Sequence, residues 1–198
     1  MMQVMQHHFT PSTVPEHLKI ATQEQEFQKI WARREIEFTK YYPALTHVHF
    51  QDDIYDANAY VLYSESEEGE IISTGRLVFD GAFGLPADEV IHKEVDKLRQ
   101  QGLRVAESSK LAIASAKHGI HILPFYFYTY YEIAVQYQID SVIFIMATQH
   151  IQAYRRFVDV NILVDDIGYS YGTQKTFALL ECRILETAAT IAKRMGGK

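Results

Sequence analysis

The run Arg104-Val-Ala-Glu-Ser-Ser-Lys-Leu-Ala-Ile-Ala-Ser115 sets a polar group, Glu107 to Lys110, inside a stretch that otherwise reads as a strand. Strand side chains alternate, so Glu107 and Ser109 are expected on one face and Ser108 and Lys110 on the other. A carboxylate inside a central strand is costly unless it is paired or used. Arg76, in Ser73-Thr-Gly-Arg-Leu77, is a second charge within a core-like strand. Two such charges in neighbouring strands point to one polar pocket. A partly desolvated carboxylate has a raised pKa, which suits it to take a proton from an ammonium group as the amine attacks an acyl carbon. Backbone N–H groups of a distorted strand around Lys110 to Ala112 would hold the oxyanion of such a step. The plainer alternative is that Glu107 only ion-pairs with Arg76 or Lys110.

Other chemistries lack their residues. Neither GxGxxG nor GxxxxGK[ST] occurs, so the chain carries no dinucleotide or P-loop signature, and no serine sits in a Gly-x-Ser-x-Gly turn. His47 and His49, and His118 and His121, are spaced in pairs without a third ligand in a recognised pattern, so no metal is expected. Cys182 is the only cysteine, which excludes an intrachain disulfide and a CxxC pair. Nineteen Lys plus Arg against twenty-five Asp plus Glu give a net charge of -6, which argues against a dedicated nucleic-acid binder. The N-terminus lacks a signal-peptide pattern and no apolar run reaches the roughly 20 residues of a membrane span, so the expected setting is cytoplasmic, without stable membrane insertion.

The elements that must position these groups follow from periodicity. Residues 1–21 read as a polar lead-in that docks through Leu18 and Ile20, and residues 22–198 as one domain, for which 198 residues supply ample core. Thr22 and Gln25 have capping-box spacing, and Phe27, Ile30, Trp31, Arg34, Phe38 and Tyr41 keep a helical period up to Pro43. The stretches 59–65 and 70–79 read as a hairpin, 87–101 as a surface helix stopped by Gly102, and 103–115 as the polar-interrupted strand. A buried helix spans 120–137, a central strand 141–147 and a short helix 149–157. Closing strands fall at 160–171 and 177–184, with a terminal helix at 187–195. This order describes an α/β sandwich around one mixed sheet.

Several segments together carry a resemblance. Ile54-Tyr-Asp-Ala-Asn-Ala-Tyr-Val-Leu62, Gly69-Glu-Ile-Ile-Ser-Thr-Gly-Arg-Leu77, Leu85-Pro-Ala-Asp-Glu89 and Ala106-Glu-Ser-Ser-Lys-Leu-Ala-Ile113 resemble the bacterial N-acyl amino acid synthases, relatives of the acyl-homoserine lactone synthases in the GNAT acyltransferase superfamily. The opening helix and His150-Ile-Gln-Ala-Tyr-Arg-Arg-Phe157 also look like that family, and the likeness covers roughly residues 23 to 185. It implies a GNAT-like, mostly antiparallel central sheet flanked by helices in a single domain. The implied reaction moves a long-chain fatty acyl group from a carrier-protein thioester to the amine of an amino acid or similar small acceptor. Glu107 matches the family's motif glutamate, a general base acting directly or through water, and Arg76 the arginine of its Gly-x-Arg-Leu strand. Where the family usually has arginine, this chain has Lys110, which keeps the charge but loses the planar fork that grips a carboxylate with two bonds. Arg76, Ser109, Lys110, His150 and Tyr154 are thus the expected substrate-binding set.

The sequence after this strand, Ser115-Ala-Lys-His-Gly-Ile-His121, lacks the Gln/Arg-x-x-Gly-x-Gly/Ala turn with which many GNAT enzymes hold CoA. The expected donor is therefore acyl-phosphopantetheine on acyl carrier protein, with no bound cofactor. Lys29, Arg33, Arg34, Lys40, Arg155 and Arg156 would form a basic face for that acidic partner, concealed within the net charge. Aromatic residues make up 13% of the chain and concentrate at 125–131, where Phe125, Phe127, Tyr128 and Tyr131 either line an acyl tunnel or only fill core. Two other readings stay open: an acyl-homoserine lactone synthase using S-adenosylmethionine, and a non-catalytic acyl-binding relative that kept the fold.

Overall fold

The computed structural model describes residues 18–42, 50–51, 53–114 and 116–195, apart from the side chains of 116–120, 189 and 191–195. Seven strands form one sheet in the order β1 (Lys19–Ile20), β2 (Ala59–Glu65), β3 (Ile71–Phe79), β4 (Val105–Ile113), β5 (Ser141–Ala147), β7 (Phe177–Arg183), β6 (Asn161–Val164). Every neighbouring pair is antiparallel except β4 and β5, which the helical crossover α3 (Ala116–Gln136) connects, as a parallel pair requires. Helices α1 (Glu24–Tyr41) and α2 (Asp88–Gln100) cover one face. On the other lie α3 and α5 (Ile184–Met195), with the short helix α4 (Ile151–Tyr154) beside them. The expected mixed sheet flanked by helices is the fold observed. No helix of the described residues is long and apolar enough to cross a membrane.

Three expectations shift. The cap of α1 is Gln23, one residue later than expected, and Glu26 rather than Gln25 reaches back to the N–H groups of Thr22 and Gln23 (2.7 and 2.8 Å). The expected strand 160–171 ends at Val164, because residues 165–176 turn away as a loop carrying Gly168 and Gly172 at positive φ. Leu18 is buried and Lys19–Ile20 pairs with β2, so the docking residues of the lead-in form an edge strand.

A β-bulge breaks the alternation of β4. Thr74 pairs with Ala112 and Arg76 with Ser109, so Gly75 alone opposes both Lys110 and Leu111. Lys110 carries the irregularity with φ of +54°, a left-handed conformation that costs a non-glycine residue on the order of 1–2 kcal/mol. The extra residue turns Lys110 onto the α1 side, where its ammonium lies 5.4 Å from the Phe38 ring centroid and 4.7 Å from that of Phe50. Lys110 therefore shares a face with Ser109, contrary to simple alternation, while Ser108 stays beside Tyr130 of α3. Gly75 is needed at this point. A Cβ there would lie 2.4 Å from the Tyr130 hydroxyl, 3.0 Å from the Tyr126 ring and 3.2 Å from Leu111.

Beneath the bulge, a buried charge cluster ties α1 to the sheet. Asp56 lies in the middle of the 3-10 turn Ile54–Asn58 and is 1% exposed. It accepts hydrogen bonds from Trp31 Nε1 (2.9 Å), Arg34 Nη1 (2.6 Å) and Arg76 Nη1 (2.8 Å). Asp53 makes a second ion pair with Arg76 at 3.0 Å. Burial raises the Asp56 carboxyl's pKa, but the charges of Arg34 and Arg76 outweigh that and hold it below the usual range.

Two stability measurements follow. Asp56→Asn leaves two buried guanidinium groups without their shared carboxylate and is expected to cost about 3–5 kcal/mol in urea unfolding. Gly75→Ala is expected to cost about 1–3 kcal/mol through overpacking against Tyr126 and Tyr130, whereas Gly102→Ala, with open space around the new Cβ but a φ of +76°, carries only a backbone penalty.

Candidate active site

β4 and β5 pair only from Val105 to Glu107. Beyond that point the two parallel strands part, and a cavity of about 720 Å³ fills the fork. Ser108 to Ile113 of β4 and Val142 and Phe144 to Ala147 of β5 form its walls. On the α1 side it meets Glu37, Phe38, Tyr41 and Tyr42, together with Lys175 and Phe177 from the start of β7. On the α3 side it runs between Leu123, Phe127, Tyr130 and Tyr131 toward Tyr154, Phe157, Val158, Cys182 and Ile184. The cavity thus passes through the plane of the sheet from a polar side to an apolar side. Strand edges exposed in this way present backbone N–H and C=O groups to whatever occupies the fork.

Glu107 sits where the strands part, on the α1 and α2 side, 3% exposed and just behind the cavity lining. Its Oε2 accepts the backbone N–H of Ala87 at 2.7 Å. The 85–88 turn is held for this contact: Asp88 accepts the Leu85 N–H, and Arg99 grips Asp80 and Asp88, each through two bonds of 2.6–2.9 Å. Burial pushes the Glu107 carboxyl up to about 8, overriding the Ala87 N–H and the Arg76 charge, which both favour the carboxylate. Glu107 makes no ion pair with Arg76 or Lys110, so the simple pairing expected as the alternative is not formed. Lys110 faces the cavity, and burial, aided by the Arg76 charge, brings its ammonium down to about 8. Two groups of opposite charge type therefore titrate in the same range a few residues apart.

Of the residues expected from sequence, Ser109, Lys110, His150, Tyr154, Phe127, Tyr131 and Arg156 line this one cavity. Ser109 accepts Arg76 Nε at 3.0 Å. Tyr154 packs edge-on against Phe127, and His150 lines the cavity as an exposed residue. The other assignments change. Arg76 is 1% exposed and committed to Asp53, Asp56 and Ser109, so it orients the bulged strand and does not reach a substrate. Phe125 and Tyr128 point elsewhere into the packed helix and do not line the cavity.

The basic face also loses members. Arg34 is 0% exposed and paired with Asp56, which removes it from any surface. Arg33 bridges to Glu37 at 3.3 Å, and Lys29 lies toward the far end of α1, its ammonium 3.4 Å from the Gly69 carbonyl. Lys40, Arg155 and Arg156 remain exposed. Among the described residues no cluster of His, Cys, Asp and Glu is placed to hold a metal, while His47, His49 and the His118 side chain lie outside them.

Four contributors were not singled out from sequence. Asp53 and Asp56 read as loop acids, although their three-residue spacing before a strand was visible. Lys175 belongs to a polar stretch, and only the antiparallel pairing of β7 with β5 brings it to the fork, where Thr148 N–H bonds Thr176 O. Tyr171, half-buried beside Tyr42 and Phe177, lies in the loop after β6 within the field of the Glu107 carboxylate.

The chain matches the family model of N-acyl amino acid synthase FeeM over residues 37–182. Comparison with curated proteins found no sequence match. Among solved structures it resembles FeeM, an N-acyl amino acid synthase from uncultured soil microbes, with 15% identity, a TM-score of 0.65 and coverage of 90% of this chain and 95% of that one. The CoA-dependent acyl-homoserine lactone synthase BjaI superposes with 14% identity and a TM-score of 0.63, covering 91% and 88%. The acyl-homoserine lactone synthase LasI gives 13%, 0.60, and 86% and 91%. With three quarters of its length matched by the family model and its overall fold like that of these enzymes, the chain belongs to the N-acyl amino acid synthase FeeM family and is an acyltransferase of GNAT-like fold.

Proposed function

We propose that this enzyme transfers a long-chain acyl group from a phosphopantetheine thioester, carried by acyl carrier protein, to the amine of an amino acid or a similar small acceptor bearing a carboxylate. The observation that carries this reading is the fork: a polar wall at Ser109 and Lys110 opens on one side of the sheet, and an aromatic channel continues on the other. A thioester lying across the strands would put its reacting carbonyl between the two. Phe127, Tyr131, Phe144 and Met146 suit the acyl chain, because Phe144 and Met146 are buried and the half-buried rings of Phe127 and Tyr131 offer apolar surface for it to cover.

In the step, the neutral amine nitrogen bonds to the thioester carbon, the C–S bond breaks, and the thiolate leaves, taking up the proton that Glu107 has accepted from nitrogen. The surplus proton on nitrogen passes to the Glu107 carboxylate. Because Glu107 stands behind the cavity lining, that transfer runs through a water. Backbone N–H groups along the unpaired edge of β4 stabilise the oxyanion. The Lys110 ammonium holds the acceptor's carboxylate, with Phe38 and Phe50 fixing its direction. A carrier protein approaching the open end of the fork would meet Lys40, Arg155 and Arg156.

Glu107→Gln keeps an acceptor for the Ala87 N–H but cannot take a proton. It is expected to fold normally and lose roughly 100-fold or more in thiol release from the acyl donor. Full activity in a folded Glu107→Gln protein excludes the base. The pH profile of kcat/KM has two limbs. Activity rises toward pH 8 as Glu107 loses its proton, and falls above that point as Lys110 loses its charge. Lys110→Arg, charged throughout, should remove the falling limb and lower the acceptor KM at pH 9. Mass spectrometry of lipids from cells making the wild-type and Glu107→Gln proteins identifies the product. An acyl series on an amino acid supports the reading, whereas a lactone formed only with S-adenosylmethionine replaces the acceptor.

A further inference from the structure

Lys110 is the only basic side chain that β4 contributes to the cavity. Its ammonium lies against the rings of Phe38 and Phe50, and among the described residues it pairs with no carboxylate. Ring faces attract an ammonium but accept no hydrogen bond in a fixed direction, so its nitrogen keeps freedom to move. Its stem starts from the bulged edge beyond Glu107, where β4 has lost its partner and presents N–H groups to the thioester carbonyl of the proposed reaction. Burial, with the charges of Arg76 on β3 and Arg34 on α1, brings the ammonium down to about 8 against the pull of Asp53 and Asp56, while Glu37 and Lys175 border the same cavity. Near neutral pH a fraction of Lys110 is therefore a neutral, nucleophilic amine.

The proposed reaction sets how far that amine must travel. An α-amino acid whose carboxylate rests on the Lys110 ammonium carries its own amine on the adjacent carbon, and that amine approaches the thioester carbon to about 3 Å. The reacting carbon then lies within roughly 8 Å of Nζ, a gap that the flexible stem of lysine closes when no acceptor stands between them. Resting on the reaction proposed above, we infer that Lys110 is itself an acylation site, which takes the donor's acyl group on Nζ when the acceptor site is empty. The neutral amine bonds to the thioester carbon, the C–S bond breaks, and the proton lost from nitrogen goes to the leaving thiolate, giving an amide and a free thiol. The amide carries no charge, so the modified enzyme has lost the cation that holds the acceptor's carboxylate, and a bound acceptor protects against the modification. Cys182 is the competing nucleophile of the cavity, but it belongs to the apolar cluster at the far side, where burial pushes its thiol up to about 11 and leaves little thiolate.

Intact-mass spectrometry with peptide mapping tests this, using palmitoyl acyl carrier protein as donor and leaving amino acids out. One palmitoyl group per chain is expected on Lys110, stable to neutral hydroxylamine as an amide is and a thioester is not. Its formation should be roughly tenfold faster at pH 9 than at pH 7, as the ammonium loses its proton. Lys110→Arg, whose guanidinium keeps its proton, should take no label while its thermal melt is unchanged. Adding a mixture of the standard amino acids, followed for its own acylation, should bring the label on the wild type to background. Absence of label overturns the site, as does label that persists in Lys110→Arg or spreads over Lys175, Cys182 and the surface lysines. Label that an acylated amino acid fails to slow overturns it as well. Amino acids acylated with Lys110 untouched leave the proposed reaction standing and sink the modification, whereas Lys110 acylated with no amino acid turned over does the reverse.

Discussion

The rest of this structure depends on one buried carboxylate. Asp56 is shared by Arg34 of α1 and Arg76 of β3, and its third bond comes from Trp31, one helical turn before Arg34. Two guanidinium groups taken out of water would be prohibitive alone, and together they repel. Only a carboxylate between them, with Asp53 as a second anion on Arg76, makes the burial tolerable. The geometry is directional, because an arginine fork offers its N–H groups in one plane. Helix α1 is thereby fixed in rotation against the sheet, and Nε of Arg76 donates to Ser109. The strand is held at the residue just before it deforms.

That deformation is what makes a cavity in a sheet. A regular parallel neighbour would pair with β4 along its whole length and leave no room. Lys110 in the left-handed region pushes two residues against Gly75, strengthens the local twist, and β5 cannot follow. The unpaired strand edges cost hydrogen bonds that water or a ligand must supply. Tyr126 and Tyr130 close the other side of the bulge over Gly75, so the aromatic surplus of the chain does two things along one helix. Some rings support the bulge as core, and Phe127 and Tyr131 border the space it creates.

Charge is distributed along this fork in a graded way. At its closed end stands Glu107, desolvated and held by Ala87. Lys110 comes next on the wall, between two aromatic rings, and the mouth carries Arg156 and Lys175. A ligand with an anionic end and an apolar end would be oriented by that gradient before any specific contact formed.

Much of this was legible in the sequence, and the parts that were not share a cause. Element order, the mixed sheet, the polar group in β4 and the candidacy of Glu107 and Lys110 follow from local period and from charges placed where burial is expected, since these depend on near neighbours in the chain. The same local pattern assigned Lys110 to the wrong face, because a bulge is created by Gly75 across the sheet and leaves no mark on the period of β4 itself. Arg34 keeps the period of the buried face of α1 and yet reads as a surface cation, because the local pattern supplies no partner for its charge and Asp56 lies 22 residues away. Arg76 looked like a ligand for the same reason. Lys175 reached the fork through strand pairing that no periodicity encodes. The chain alone determined which residue types are available and which strand holds them. Only the tertiary structure decided which charges cancel one another and which are left for a substrate, because pairing a buried charge is a choice among long-range partners.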